Sequence, residues 1–168
     1  MAPRRVPEDG RITEPGEYAL TGNRTVRGAS PPSEAMIRIA ADGVTLDGRG
    51  HALVGGGVSD TTAIAADGES GVSEVVVENV AVEAWEVGLS FRNLGRATVR
   101  GVEATGNSYG LLLEGVAALR LADCEVRENL VGVSADAASA PVAPALDFGS
   151  GTDVSANRLA DVRRGDDC

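Results

Sequence analysis

Apolar and polar residues alternate in short runs along this chain, and from residue 75 the runs recur every 22 positions. Val75-Val76-Val77-Glu78-Asn79-Val80-Ala81-Val82 lines up with Ala97-Thr98-Val99-Arg100-Gly101-Val102-Glu103-Ala104, and both line up with Leu119-Arg120-Leu121-Ala122-Asp123-Cys124-Glu125-Val126. Trp85, Asn107 and Asn129 share one register, as do Gly88, Gly110 and Gly132. A fixed period of this length marks stacked supersecondary units, each unable to bury its apolar side alone. Within a run the period is two, so alternate residues face inward and outward. Val77, Val99 and Leu121 are therefore expected to stack as one aliphatic ladder. Three further inward ladders are expected: Val80, Val102 and Cys124; Val82, Ala104 and Val126; and Val87, Tyr109 and Val131. The recurring glycines are expected where the backbone bends. Asn107 and Asn129 are expected at the preceding turn, where asparagine tolerates a left-handed conformation and can stack its amide on that of its neighbour. On the same ladders, Leu121→Asp should unfold the domain and Arg120→Ala should matter little.

Two solenoids fit a period near 22. Val116-x-x-Leu119-x-Leu121-x-x-Cys124-x-Val126 matches the core of a leucine-rich repeat. The second half of the unit decides against it. Gly106-Asn107-Ser108-Tyr109-Gly110-Leu111-Leu112-Leu113-Glu114-Gly115 has three glycines in ten residues and is a poor helix former. Strand, turn, strand, turn, strand describes one coil of a parallel β-helix. The expected fold is therefore all-β, a right-handed parallel β-helix of about four to six coils. Residues 1–11 read as a disordered lead-in, and residues 12–160 as the domain. Within it, 12–34 form an N-terminal cap, 35–135 the coils, 136–144 a loop and 145–149 a last strand. Residues 161–168 read as a polar tail. The step from Leu46 to its apparent equivalent Val77 is 31 residues, so that coil carries extra loop.

Composition narrows the functional classes. Hydrophobic residues make up 43% of the 168 but aromatics only 3%, so the core must be aliphatic. The net charge of −10 opposes binding along a phosphate backbone, and no nucleic-acid partner is expected. All 15 basic residues are arginine, which together with the acidic excess fits a salt-adapted protein. No apolar run is long enough to span a bilayer, and residues 1–10 lack the apolar centre of a signal peptide. The chain as written thus reads as cytoplasmic, and as extracellular or cell-surface if its true start lies further upstream. Cys124 takes a position held by valines and reads as a buried hydrophobe. With one histidine, His51, a histidine-rich metal site is excluded.

Val44-Thr45-Leu46-Asp47-Gly48-x-Gly50-His51, followed by Val99-Arg100-Gly101-Val102 and Asn107-Ser108-Tyr109-Gly110-Leu111, resembles the right-handed parallel β-helix repeat family. That family takes in NosD-type, CASH-type (carbohydrate-binding and sugar-hydrolase) and pectate-lyase-like proteins, many from salt-loving archaea. The resemblance covers about residues 12–135 and implies the fold more specifically than any activity. Regular ladders without a concentrated acid–base cluster point first to a non-catalytic module, carbohydrate-binding or a structural or surface scaffold, with polysaccharide as the expected partner and no cofactor. The alternative is a lyase, hydrolase or epimerase acting on acidic polysaccharide, or a remnant of one.

Candidate chemistry lies on the outward ladders, whose members stand about 4.8 Å apart. Glu103 and Glu125 stack, and two stacked carboxylates can hold a Ca²⁺ or share a proton. Lyases of the resembling family pair acidic Ca²⁺ ligands with an arginine or lysine that removes the proton α to a uronic carboxylate. Arg100 and Arg127 are the residues that this implies here. The plainer expectation for the same charges is a solvated face with weak ion pairs, Glu78–Arg100 and Glu83–Arg127.

Overall fold

The computed structural model describes residues 2–25, 35–57, 61–68, 72–136 and 145–164. The described residues form strands joined by tight corners, with no α-helix. The chain enters as β1 (Arg4–Arg5) and β2 (Arg11–Ile12), then winds through β3 (Gly16–Ala19), β4 (Arg24–Thr25) and β5 (Ile37–Ile39). β6 (Val44–Val54) bends across two faces before β7 (Thr62–Asp67), and β8 (Glu74–Glu83) does the same before β9 (Val87–Arg92). Three short strands then make each coil: β10 (Arg96–Arg100), β11 (Glu103–Thr105) and β12 (Tyr109–Glu114), followed by β13 (Ala118–Ala122), β14 (Glu125–Arg127) and β15 (Val131–Asp136). β16 (Ala145–Phe148), β17 (Asp153–Ser155) and β18 (Ala160–Arg164) complete the described coil.

Every pairing is parallel and runs between one coil and the next, which makes the molecule a three-sided parallel β-helix of about five turns. The first face stacks β1, β3, the start of β6, the start of β8, β10, β13 and β16. The second face stacks β4, the ends of β6 and β8, β11, β14 and β17. The third stacks β2, β5, β7, β9, β12, β15 and β18. Val77, Val99 and Leu121 pair in register at 0–1% exposure. Leu46 pairs with Val77 across the 31-residue step. The ladders of Val80, Val102 and Cys124, and of Val82, Ala104 and Val126, are likewise buried. The Cys124 thiol donates to the Val99 carbonyl at 3.3 Å, and burial raises its pKa. Tyr109 departs from its ladder. It is half-buried, its ring lies 5.6 Å from the Arg163 guanidinium, and its hydroxyl accepts from Arg163 at 3.3 Å. Valine fits that corner on the coils either side, whereas the phenol reaches a polar partner beyond it.

Each coil turns the first corner through a left-handed residue: Asn79, Gly101, Asp123 and Gly151 have φ of 55°, 59°, 52° and 77°. Glycine at 101 has a second cause, since a Cβ there would stand 2.8 Å from Asn79 Oδ1. At the second corner the left-handed residue is not the asparagine but the one before it: Ala84, Gly106, Glu128 and Ala156, with φ from 56° to 66°. Asn107 and Asn129 instead point inward and form a hydrogen-bonded column with Asn157. Asn107 Nδ2 donates to Asn129 Oδ1 (3.1 Å), and Asn129 Nδ2 donates to Asn157 Oδ1 (3.0 Å). Asp161 closes one end by accepting from Asn157 N and Nδ2. At the other end, Trp85 N donates to Asn107 Oδ1 while its indole N–H donates to the Leu53 carbonyl at 2.9 Å. Gly88, Gly110 and Gly132 do not make the bend. They lie in or beside strands with ordinary φ, and a Cβ on Gly110 would stand 2.7 Å from the Gly132 carbonyl oxygen. Glycine there lets successive coils approach.

Both ends extend further than the repeat indicates. Residues 1–11 are not a disordered lead-in where described: β1 pairs with β3, Val6 is buried, and β2 pairs with β5. Residues 12–25, expected within a separate cap, form a coil, with β3 and β4 stacked on β6. Past β16, β17 and β18 continue the coil, so residues 161–164 are strand and not tail. The expected loop lies almost wholly outside the described residues, as do residues 165–168. Each terminal strand offers only one or two inward side chains, such as Ile12, Val154 or Val162, too few to show a period.

Candidate functional site

Parallel register turns sequence alternation into a surface pattern on the first face. Ala97 and Val99 of β10 point into the core, which sends Arg96, Thr98 and Arg100 outward. Leu119 and Leu121 of β13 do the same for Ala118, Arg120 and Ala122. The pairing sets Arg96 beside Ala118, Thr98 beside Arg120, and Arg100 beside Ala122. Each arginine therefore stands next to a small residue, and Arg120 lies diagonally between the other two. The outcome is a groove of about 470 Å³ in which Thr98, Ala118 and Ala122 lie among Arg96, Arg100 and Arg120, with Asp147 also in its lining.

The three arginines differ in their partners. Arg100 Nη2 lies 3.4 Å from Glu78 Oε2, on the strand one coil before. Arg120 Nε lies 3.9 Å from Asp147 Oδ2, on the strand one coil after. Arg96 makes no ion pair among the described residues, although Glu74 sits next to it in register. Both ion pairs are largely solvated, with Arg100 54% and Arg120 65% exposed. Exposed pairs of this kind contribute at most about 1 kcal/mol, so their arginines can exchange partners at little cost. A guanidinium offers paired N–H donors that match a carboxylate, which a lysine does not.

The residues singled out in the sequence divide between two faces. Glu103 and Glu125 are direct register partners on the second face, followed by Asp153 on the next coil. All three are exposed. Arg127 stands on the same outer side two residues beyond Glu125, and its Nε lies 3.7 Å from Asp153 Oδ2. Asp153 thus occupies Arg127, where Glu83 had been the expected partner. Arg100 lies around the Gly101 corner, on the first face, paired with Glu78 as expected. Only Glu103, Glu125 and Arg127 of the four share a face. No group of three His, Cys, Asp or Glu able to hold a metal ion occurs among the described residues. A smaller cleft at the first corner is lined by Asp47, Arg49, Asn79 and Glu103, and its Asp47 carboxylate is held internally. Asp47 Oδ1 accepts from Arg49 N (2.8 Å) and Asn79 Nδ2 (3.3 Å).

Arg96 and Arg120 are the residues that sequence reasoning did not reach as a site. Their signal was present, since Arg96, Thr98 and Arg100 alternate with buried residues and Arg120 is in phase with Thr98. The groove depends on diagonal neighbours drawn from three ladders, and each ladder read singly does not show it. Compared with family models, curated proteins and solved structures, the chain matches none.

Proposed function

We propose that this protein is a non-catalytic parallel β-helix module that binds acidic polysaccharide on the outside of its first face. The observation that carries this is the groove walled by Arg96, Arg100 and Arg120. It gathers three guanidinium groups around small residues, with one carboxylate, Asp147, among them, in a chain of net charge −10. The resemblance to carbohydrate-binding β-helix repeats supports the same class of ligand. Affinity electrophoresis through gels containing polygalacturonate, and separately a neutral glucan, tests the proposal. Retardation by the acidic polymer alone, weakening as salt is raised, is expected. Equal mobility in both gels would refute it.

One arrangement favours a second function, a polysaccharide lyase. Glu103 and Glu125 stand in direct register with Arg127 beside them, a pair of carboxylates able to hold Ca²⁺ near a basic side chain. An assay for unsaturated products from polygalacturonate and alginate, with Ca²⁺ supplied, separates the two. Absorbance that rises in the wild type and not in Glu125→Ala would establish the lyase and displace the binding module.

A further inference from the structure

Within the polysaccharide-binding function, on which this inference rests, we propose that Glu78 and Asp147 are resident competitors for the arginine groove. The ligand enters on Arg96 and completes its contacts by displacing these two carboxylates from Arg100 and Arg120. Three observations combine. Arg96 makes no ion pair among the described residues, although Glu74 is its register neighbour, so it meets an incoming anion without first giving one up. Glu78 and Asp147 approach from opposite sides of the groove, one from the preceding coil and one from the following coil. Both contacts are long for ion pairs, at 3.4 and 3.9 Å, and both are open to solvent.

The spacing favours a chain of single charges over a compact dianion. Arg96 and Arg100 are four residues apart on one strand, about 13 Å, with Arg120 about 8 Å from each on the next. A compact phosphate or sulfate needs donors that converge on one point. A polyuronate instead offers carboxylates along its length, each able to take one guanidinium side-on. It would lie along the strands, across the axis of the coil. The groove has no aromatic side chain on which a base could stack, which disfavours a single-stranded nucleic acid.

Calorimetric titration with polygalacturonate oligomers tests this on five proteins: wild type, Arg96→Gln, Glu78→Gln, Asp147→Asn and Glu83→Gln. The last removes one negative charge from the second face, away from the groove, and reports the effect of net charge alone. Glu78→Gln and Asp147→Asn are each expected to tighten binding about threefold, the size of an exposed ion pair. Glu83→Gln is expected to change it far less. Arg96→Gln is expected to weaken binding about tenfold or more, as loss of a charged hydrogen bond does. Unaltered thermal melts would exclude misfolding of these surface variants. Glu83→Gln tightening binding as much as the other two, or Glu78→Gln and Asp147→Asn leaving it unchanged or weaker, would overturn the competitor role while leaving polysaccharide binding intact. A single-stranded oligonucleotide of equal charge that bound as tightly would overturn the choice of ligand. Absence of binding by every variant would overturn both proposals.

Discussion

Asn129→Ala probes the internal column most sharply. Asn129 is fully buried. Its Oδ1 accepts from the backbone N–H of Asn107 at 3.0 Å and from Asn107 Nδ2 at 3.1 Å. Its Nδ2 donates to the Ala104 carbonyl (2.9 Å) and to Asn157 Oδ1 (3.0 Å). Truncation leaves the Asn107 backbone N–H without its acceptor, and leaves Asn107 Nδ2 with Val82 alone. Two buried donors at about 1–3 kcal/mol each give a loss of about 2–6 kcal/mol. Against a typical total of about 5–15 kcal/mol this is a large fraction, and it should lower the melting temperature by roughly 5–15 °C. Urea denaturation followed by far-ultraviolet circular dichroism measures the loss. Hydrogen exchange localises it, with the Asn107 amide losing protection most. Thr105→Ala, on the outer side of the preceding coil, is the control and should stay within about 0.5 kcal/mol. A loss for Asn129→Ala no larger than the control, or an unchanged Asn107 amide, would refute a hydrogen-bonded column at this corner.

Other substitutions test the packing and the electrostatics. Leu121→Asp buries an unpaired charge and should cost about 4 kcal/mol or more, unfolding the domain, while Arg120→Ala should stay near 0.5 kcal/mol; similar thermal melts for the two would invert the inside and outside of β13. Gly110→Ala places a Cβ 2.7 Å from the Gly132 carbonyl and 2.8 Å from Val126 Cγ1, and a loss of about 1–3 kcal/mol in urea titration is expected. Asp42 accepts from the backbone N–H groups of Glu74 and Ser73 and from the Ser73 hydroxyl, which pull its pKa to about 2 from 3.8. Because the folded pKa is the lower one, its contribution is present above about pH 3.8 and is lost as pH falls through about 2. Stability of Asp42→Asn should therefore fall less steeply than wild type across that window, and parallel acid titrations would count against the hydrogen bonds at this turn.

Much of this architecture was legible because one coil copies the next. Val77, Val99 and Leu121 keep a 22-residue step and a period of two, so their ladder could be read without coordinates. The Leu46–Val77 step was also legible, since Leu46 and its neighbours keep the inward alternation of the regular coils; the register shift inside β6, between Asp47 and His51, was not. The last coil was not. From Val126 to Val154 the step is 28 residues, and β17 has a single inward apolar side chain. Asn157 was missed with it, although it continues the column of Asn107 and Asn129. The carboxylate ladder of Glu103 and Glu125 was visible because its members are equivalent by repeat. The arginine groove was not, because Arg96, Arg120 and Arg100 belong to three different ladders. Only the register, together with the small side chains between them, makes the three into one surface.

Nuclear magnetic resonance titration tests the site most directly. Polygalacturonate oligomers are added to the ¹⁵N-labelled protein while backbone amides and arginine Nε–H groups are followed. Shifts centred on Arg96, Thr98, Arg100 and Arg120 are expected, with those of Glu103, Glu125 and Arg127 unmoved. Shifts centred on the second face, or spread evenly over all three faces, would contradict a binding site on the first.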